Sequence, residues 1–268
     1  MKDPETISVE ADQFAVVLER YIGGLGYRLD MIMPSDAPRE ALLQKPDREG
    51  GLMLRVTQEP SLTVVPPHSE WTVGRAGMMY RNLIPGFFGS TLVASHIRIL
   101  NGGEVPDSVH YHKIDFQIIY CLKGAIRVVY QDQGEPFWLR PGDCVLQPPE
   151  IRHRVLEAEA GSEVIEITSP AEHETWFDHE MILPTDSCAP DRTFGTQRFV
   201  RHRDDEAVWE KDDGTGTMSV RTQLFASGKG APDVYTIKSN VRDETIVANG
   251  QEVEILIGGR GVKISLSD

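Results

Sequence analysis

The chain has 268 residues, of which 40% are hydrophobic and 25% charged, a composition typical of a globular protein with ample core-forming material. Its 41 acidic and 27 basic residues give a formal net charge of −14. Because nucleic acids and anionic membranes are bound by clustered Lys and Arg, this balance argues against both as partners. No stretch is long and apolar enough to span a bilayer, and the first residues lack the apolar core of a signal peptide.

The cysteine pattern favours a reducing compartment. Cys121, Cys144 and Cys188 are odd in number and show no CxxC spacing. Cys121 and Cys144 lie in apolar, strand-like runs, where a small buried hydrophobic role is expected. We therefore predict a cytoplasmic protein without a disulfide framework.

Residues 1–60 are predicted to form a small α/β module. Val9–Tyr21 has the spacing of apolar residues that is typical of a helix, and the following Gly23–Gly24 pair ends it. Tyr27–Met33 alternates polar and apolar residues, and Gly51–Val56 is a second strand candidate.

Two segments of this module, Gly26–Pro34 and Gly51–Val56, resemble one half of a glyoxalase-type (vicinal oxygen chelate) module. The resemblance implies a βαβββ unit. That family builds its metal site from paired units, so we expect a structural or pairing role for this single unit, not a second active site.

The rest of the chain is predicted to be mainly β. Residues 61–90 are rich in Pro and Gly and are interpreted as a connector. Residues 91–170 contain a series of short strands separated by turn residues, as in a barrel or sandwich. Residues 171–190 are predicted to be a linker in which Ala171–Asp178 is helical. Weaker strands follow in residues 191–268.

Residues 191–268 contain a partial repeat of the preceding region. Gln117–Gly124 can be aligned with Glu254–Gly261, and strand-like residues follow both segments. In this alignment His110 corresponds to Val247 and His112 to Asn249. The second copy therefore has no pair of metal ligands, and we predict a remnant or shortened second repeat.

Three histidines stand at a fixed spacing inside the strand-rich region. His110 and His112 are two residues apart, so in a strand both side chains project to the same face. His153 follows a turn at Pro141–Asp143 and opens another predicted strand. A metal ion can bind both imidazoles of the pair if another strand brings a further donor to it, so we predict a metal site at His110, His112 and His153.

The segment from Gly103 to Arg154 resembles the cupin superfamily. Its two motifs, in the order expected for that family, consist of Gly103, His110, His112, Gln117, Gly124, Gly142, Asp143, Pro148 and His153. The resemblance implies a jelly-roll barrel that binds a metal ion through three histidines and usually a glutamate.

Gln117 occupies the position of that glutamate. Glutamine is neutral and a poorer ligand than a carboxylate, so the ion would keep its full positive charge and more open positions. Gln117 is predicted either to ligate through its amide oxygen or to hydrogen-bond a water on the ion, and we favour the second. Other polar residues near these strands are expected on the rim or in solvent: Tyr120, Tyr130, Arg98, Arg127 and Glu150.

The leading hypothesis for function is a metal-dependent oxidoreductase of the Fe(II) dioxygenase kind. Its substrate would be a small diketone, catechol-like compound or hydroxylated aromatic acid that offers two oxygens to the ion. Three-histidine sites also suit Zn, Ni or Mn, so a non-redox isomerase, lyase or hydrolase is an alternative. A non-catalytic small-ligand-binding cupin is a third, because the fold alone does not determine the chemistry.

The single N-terminal half-module and the partial second repeat would leave sheet edges that other strands must cover. We therefore predict a homo-oligomer, with a dimer favoured.

Overall fold

The structure is a computed structural model that describes residues 3–35, 37–46, 50–57, 70–84, 91–211, 218–221, 231–240, 242–249 and 252–265. Within these ranges the protein is mainly β, as predicted, with one short α-helix. None of the helices in the described ranges has the length and apolar character that crossing a bilayer requires.

The N-terminal unit consists of four strands and one helix. Its elements are β1 (Glu5–Val9), α1 (Phe14–Glu19), β2 (Arg28–Met33), β3 (Glu40–Gln44) and β4 (Leu52–Val56). The strand order is β1-β4-β3-β2, and β1 runs parallel to β4. Phe14 from the helix packs with buried residues of the strands, which gives the unit a small core of its own.

The helix is shorter than the predicted Val9–Tyr21. A single 3₁₀ turn (Ala11–Gln13) precedes it, and a π-helical turn (Arg20–Gly24) follows it. Val9, at the start of the predicted helix, instead closes strand β1 and pairs with Val56. The sheet pairing of this end therefore overrides its local helical pattern.

The described residues of the central part contain twelve further strands. These are β5 (Thr72–Val73), β6 (Met79–Asn82), β7 (Val93–Ile99), β8 (Gly103–Glu104), β9 (His110–His112), β10 (Phe116–Lys123), β11 (Ile126–Tyr130), β12 (Phe137–Leu139), β13 (Cys144–Gln147), β14 (His153–Ala158), β15 (Ser162–Ser169) and β16 (Thr175–Phe177). The predicted connector at residues 61–90 thus contributes β5 and β6, which pair with each other and extend the sheet through β7.

These strands form two sheets. One has the order β1-β4-β3-β2-β16-β9-β14-β11-β12, so the N-terminal unit continues the sheet of the histidine strands through the β2–β16 pairing. In the other, β13, β10, β15, β7, β6 and β5 are neighbours in that order. Side chains of both sheets, such as Ile119 and Val128, share one buried cluster, which is the interior of the barrel.

The prediction of a helix at Ala171–Asp178 is wrong. Thr175–Phe177 forms strand β16, which lies between β9 and β2. Its Thr-Trp-Phe sequence consists of residues that favour strands. The pairing of β16 with β9 places Thr175 opposite His112.

Glycines with left-handed backbone conformation occupy two of the turns. Gly124 (φ +68°) joins β10 to β11, and a Cβ there would lie 2.5 Å from Ser162 Oγ. Gly142 (φ +100°) leads into β13, and a Cβ there would lie 2.5 Å from Asp204 Cγ. Left-handed backbone and close contact both require glycine at these positions.

The described residues of the C-terminal part contain nine strands, and six of them form a separate sheet. Its strands are β17 (Thr193–Phe194), β18 (Gln197–Arg198), β19 (Val200–His202), β20 (Glu210–Lys211), β21 (Met218–Arg221), β22 (Asp233–Lys238), β23 (Thr245–Asn249), β24 (Glu252–Ile257) and β25 (Arg260–Ser265). β17 and β18 form a hairpin, β19 joins β13, and the last six strands form one sheet of order β20-β21-β22-β25-β24-β23.

This six-stranded sheet packs on the outside of the barrel. Its Val253 and Ile264 share a buried cluster with Ile118 and Ile165, which point away from the barrel interior. The predicted alignment is wrong in register. Gly124 lies in a turn, but Gly261 lies inside β25, and the turn of the β24–β25 hairpin is formed by Gly258 and Gly259.

Candidate metal centre

Three histidines converge on the inner side of strands β9 and β14. His110 and His112 lie on one face of β9, and His153 pairs directly with His110 across the strands. The centroids of their rings lie 4.3 Å apart for His110 and His153, and 5.1 Å apart for each of the other two pairs. All three are buried, and one nitrogen of each lies within 4.8 Å of one nitrogen of each of the others. The structure thus brings the predicted residues together.

The Nδ1 atom of each histidine has a partner outside the cluster. His110 Nδ1 lies 2.8 Å from the Ser108 carbonyl oxygen, and His153 Nδ1 lies 2.9 Å from that of Ile151. A carbonyl oxygen only accepts, so these two Nδ1 atoms carry the proton and the Nε2 atoms have free lone pairs.

The third histidine has a side-chain partner. His112 Nδ1 lies 2.8 Å from Thr175 Oγ1 on β16. Partners at the non-ligating nitrogen fix the orientation of a metal-binding histidine ring. The Nε2 atom of His110 is buried and has no hydrogen-bond partner in the described residues.

Burial keeps the cluster neutral. It lowers the pKa of His153 to about 4, and Arg75 adds to the lowering. It also lowers the pKa values of His110 and His112 well below the ordinary value, helped by Arg75 at His110 and by the other two imidazoles at His112. Near neutral pH the site therefore offers three uncharged imidazoles.

These observations fit a divalent transition metal. A buried Nε2 atom without a partner normally carries a free-energy cost, and an ion shared with the other two imidazoles would satisfy it. Three neutral imidazoles are also a donor set that such ions accept. His110, His112 and His153 are therefore the residues that could hold the metal.

Gln117 belongs to a buried chain of hydrogen bonds. It lies directly opposite Gln147 on β13 and Thr168 on β15. Its Nε2 donates to Thr168 Oγ1 at 3.0 Å, and its Oε1 accepts from Gln147 Nε2. Gln147 Oε1 in turn accepts from the hydroxyl of Tyr130, whose ring stacks on His153 at 5.4 Å. The amide oxygen that could ligate a metal is thus already engaged.

Tyr120 and Tyr130 are buried, so the expectation that they lie on the rim or in solvent is wrong. The polar residues named with them occupy different places. Tyr120 is buried in the outer cluster beneath the C-terminal sheet, and Arg127 pairs with Glu157 at the surface. Arg98 lies over the ring of Trp71, and Glu150 is an exposed turn residue with φ +60°. Two of them lie next to the histidine cluster: the ring of Tyr130 stacks on His153, and the backbone N–H of Glu150 donates to the His112 carbonyl at 3.1 Å.

Asp143 has a structural role in the turn before β13. Its carboxylate accepts hydrogen bonds from the backbone N–H groups of Arg140 and Asp204, both at 2.9 Å. These bonds hold the turn that contains Gly142.

An ion pair beside the site was not predicted from the sequence. Asp107 is almost fully buried and pairs with Arg75, and its Oδ1 lies 3.6 Å from His110 Nδ1. Burial opposes the charge on Arg75, but Asp107 together with Tyr80 and Glu166 outweighs it and raises the Arg75 pKa. At Asp107 burial outweighs Arg75, so the pKa of that carboxyl is raised as well. The presence of Asp107 three residues before His110 was the only available signal, and Arg75 lies in the segment interpreted as a connector.

His173 has no motif spacing in the sequence, which therefore predicts a surface or packing role for it, as it does for His68. His173 is buried, and the centroid of its ring lies 5.4 Å from that of His112. His68, for which the same expectation was made, lies outside the described residues.

One known family model matches the part of the chain that carries the three histidines. Residues 96–168 match the family model described as Cupin domain. A search of curated proteins finds no match.

Similar solved structures include KdgF from a Halomonas species, with 26% identity, coverage of 38% of this chain and 86% of that chain, and a TM-score of 0.31. An RmlC-like cupin from Shewanella frigidimarina shares 25% identity and covers 42% and 94%, with a TM-score of 0.33. A salicylate 1,2-dioxygenase from Pseudaminobacter salicylatoxidans shares 13% identity and covers 70% and 72%, with a TM-score of 0.44.

Proposed function

We propose that this chain, which contains a cupin domain at residues 96–168, is a metal-dependent oxidoreductase of the Fe(II) dioxygenase kind. Its substrate would be a small organic molecule with two neighbouring oxygens, such as a diketone, a catechol-like compound or a hydroxylated aromatic acid. The observation that carries this proposal is the cluster of three neutral imidazoles, which no carboxylate joins among the described residues.

The missing carboxylate matters because of charge. Where a fourth ligand is a glutamate, one unit of the ion's charge is offset inside the protein. Here Gln117 stands at that position and its amide oxygen is held by Gln147. When bound, the ion would supply Lewis acidity and, as Fe(II), the capacity to exchange electrons with O2.

The protein's own groups would prepare the site for this chemistry. The carbonyl groups of Ser108 and Ile151, together with Thr175, hold the three rings in one orientation. The buried cluster that includes Ile119, Tyr130 and Phe199 would limit the access of water to the site. We place Gln117 as a neighbour of the site that does not ligate directly.

Oxygen consumption tests the proposal. Protein loaded anaerobically with Fe(II) should consume O2 when a diketone, catechol or hydroxylated aromatic acid from a broad panel is added. His112→Ala should abolish the uptake because it removes one of three ligands. His179→Ala is the matched control, since His179 contacts Leu29 and Asp30 outside the cluster. No uptake with any compound by Fe(II)-loaded wild type would contradict the proposal.

A non-redox isomerase, lyase or hydrolase is the second candidate. It is favoured by the same donor set, because three imidazoles without a carboxylate also suit Zn, Ni and Mn. Metal analysis of protein purified without added metal separates the two. Iron supports the oxidoreductase, whereas stoichiometric Zn or Ni with activity that is indifferent to oxygen supports the second candidate.

The three cysteines support a cytoplasmic location. All of them are free, with Cys121 and Cys144 buried and Cys188 exposed. An exposed free thiol is more compatible with a reducing compartment than with an oxidising one.

We also propose a homo-oligomer, most simply a dimer. Strand β23 is an edge of the C-terminal sheet, and its Val247 is 50% exposed. An exposed edge of this kind is a surface on which another strand can pair. Sedimentation should show a species larger than the monomer at micromolar concentration, and a monomer would contradict the proposal.

A further inference from the structure

We propose that Asp107, with Arg75 as its counter-ion, is a positioning residue that sets the separation of His110 and His153. This inference rests on the proposed metal site and adds two residues to it. Neither residue would touch the ion or the substrate.

The two histidine strands are joined by very little backbone pairing. Strands β9 and β14 share a single residue pair, His110 with His153. In contrast, β14 and β11 share five pairs on the other side. On the same side as β9, β14 also pairs with β8, and the Val105 N–H donates to the Leu156 carbonyl at 3.0 Å. Between Val105 and His110, the separation of the two segments therefore depends on contacts outside the sheet ladder.

Asp107 supplies such contacts to both strands. Its Oδ1 accepts the backbone N–H of Ser108 at 3.0 Å, and the Ser108 carbonyl is the partner of His110 Nδ1. Its Oδ2 accepts the backbone N–H of Val155 at 2.9 Å, two residues beyond His153 in β14. One carboxylate thus ties the residue that orients the first histidine to the strand that carries the second.

Arg75 makes this buried carboxylate possible. The Asp107 side chain is 1% exposed, and a carboxylate at such a depth requires a charged partner. Arg75 Nη1 donates to Asp107 Oδ1, and the arginine side chain is itself only 13% exposed. The turn at Arg75–Gly77 between β5 and β6 brings the guanidinium to this position.

A purely structural role is the competing explanation, because any buried ion pair stabilises its surroundings. Asp132 offers a matched control. It is also buried, and its carboxylate accepts from Arg192, Thr185 and Ser187. Its contacts tie the 185–192 loop to the barrel and do not involve the partners of the three histidines.

The experiment is a titration of the metal-free full chain with Co(II), followed by visible absorption, which reports the number and geometry of the ligands. Asp107→Asn should weaken Co(II) binding by about 10- to 100-fold and alter the absorption bands. Asp132→Asn should lower stability in urea but leave Co(II) affinity and bands unchanged. If Asp107→Asn does not fold, Arg75→Lys, which keeps the charge but not the planar fork, should give a smaller loss in the same direction.

Unchanged Co(II) affinity and bands in Asp107→Asn, or in Arg75→Lys where that variant has to be used, would overturn the inference. Equal losses of Co(II) affinity in Asp107→Asn and Asp132→Asn would also overturn it, since the effect would then follow stability. The proposed function fails separately. Wild type that binds Co(II) tightly but consumes no O2 as the Fe(II) form would refute the oxidoreductase and leave the positioning role supported by the Co(II) data.

Discussion

Replacing Gln117 by leucine tests whether Gln117 is a ligand of the metal ion or only a neighbour of the site. The two side chains are similar in size, but leucine makes no hydrogen bonds. The substitution would leave the Nε2 of Gln147 and the Oγ1 of Thr168 without their present partners in a buried environment. Each unsatisfied buried group costs about 1–3 kcal/mol, so the free energy of unfolding should fall by about 2–6 kcal/mol.

Metal binding should respond differently. Because the amide oxygen of Gln117 is engaged by Gln147, we expect Gln117→Leu to bind Co(II) with nearly wild-type affinity. Urea unfolding followed by circular dichroism measures the first effect, and Co(II) titration of the folded variant measures the second. Tyr130→Phe is the control, since it removes only the donor at the far end of the chain and should cost about 1–3 kcal/mol.

Two results would refute this reasoning. A loss of Co(II) affinity of about tenfold or more in Gln117→Leu, which corresponds to about 1.4 kcal/mol, would show that the amide oxygen ligates the ion. Stability equal to that of wild type would show that the chain of hydrogen bonds from Tyr130 to Thr168 does not form.

Four further outcomes are expected. Thr175→Val should weaken Co(II) binding by about tenfold, because it removes the partner of His112 Nδ1; unchanged affinity would contradict this. Phe199→Ala should lower the free energy of unfolding by about 3–5 kcal/mol, because its ring is buried and the ring centroid lies 4.4 Å from that of Tyr130. A much smaller loss of unfolding free energy in urea would show that this segment does not complete the core. Gly142→Ala should cost at least about 1 kcal/mol in the same assay, because its φ is +100° and Asp204 occupies the space of a Cβ. Burial opposes the charge on Asp132, but hydrogen bonds from Ser187, Thr185 and Arg192 outweigh it and lower the Asp132 pKa below 3.8. The ionised carboxylate therefore stabilises the fold, and Asp132→Asn should lower the free energy of unfolding by its full amount above about pH 4. This loss should disappear as the pH falls through the lowered pKa. A difference that persists at lower pH would contradict the last expectation.

The histidine cluster could be predicted from sequence because strand periodicity is local. Two histidines at spacing two share a face in any strand, and turn residues such as Gly142 mark where the chain must reverse. The convergence of His110 and His112 with His153 follows from these rules and from the order of the cupin motifs.

The surroundings of the cluster could not be predicted because they come from distant segments. Arg75 and Asp107 are 32 residues apart, and Arg75 lies in a Pro- and Gly-rich stretch that showed no strand pattern. Thr175 was placed in a helix, because the three-residue strand β16 is too short to show a period and forms only through pairing with β2 and β9.

The surface that the C-terminal sheet covers could not be predicted from the sequence either. Its alternation of apolar residues predicts strands but does not tell which surface they cover. Val253 and Ile264 pack against the outer face of the barrel sheet at Ile118, so the C-terminal sheet covers this face of the barrel. The structure thus explains why Ile118, Tyr120 and Ile165 are apolar on a face that points away from the barrel interior.

X-ray absorption spectroscopy of the Co(II)-loaded protein tests the central claim most directly, because it reports the ligands themselves. The account predicts three imidazole nitrogens with the remaining positions filled by oxygen, and loss of one imidazole in His153→Ala. Two or fewer imidazoles in the wild type, or an unchanged imidazole count in His153→Ala, would contradict it.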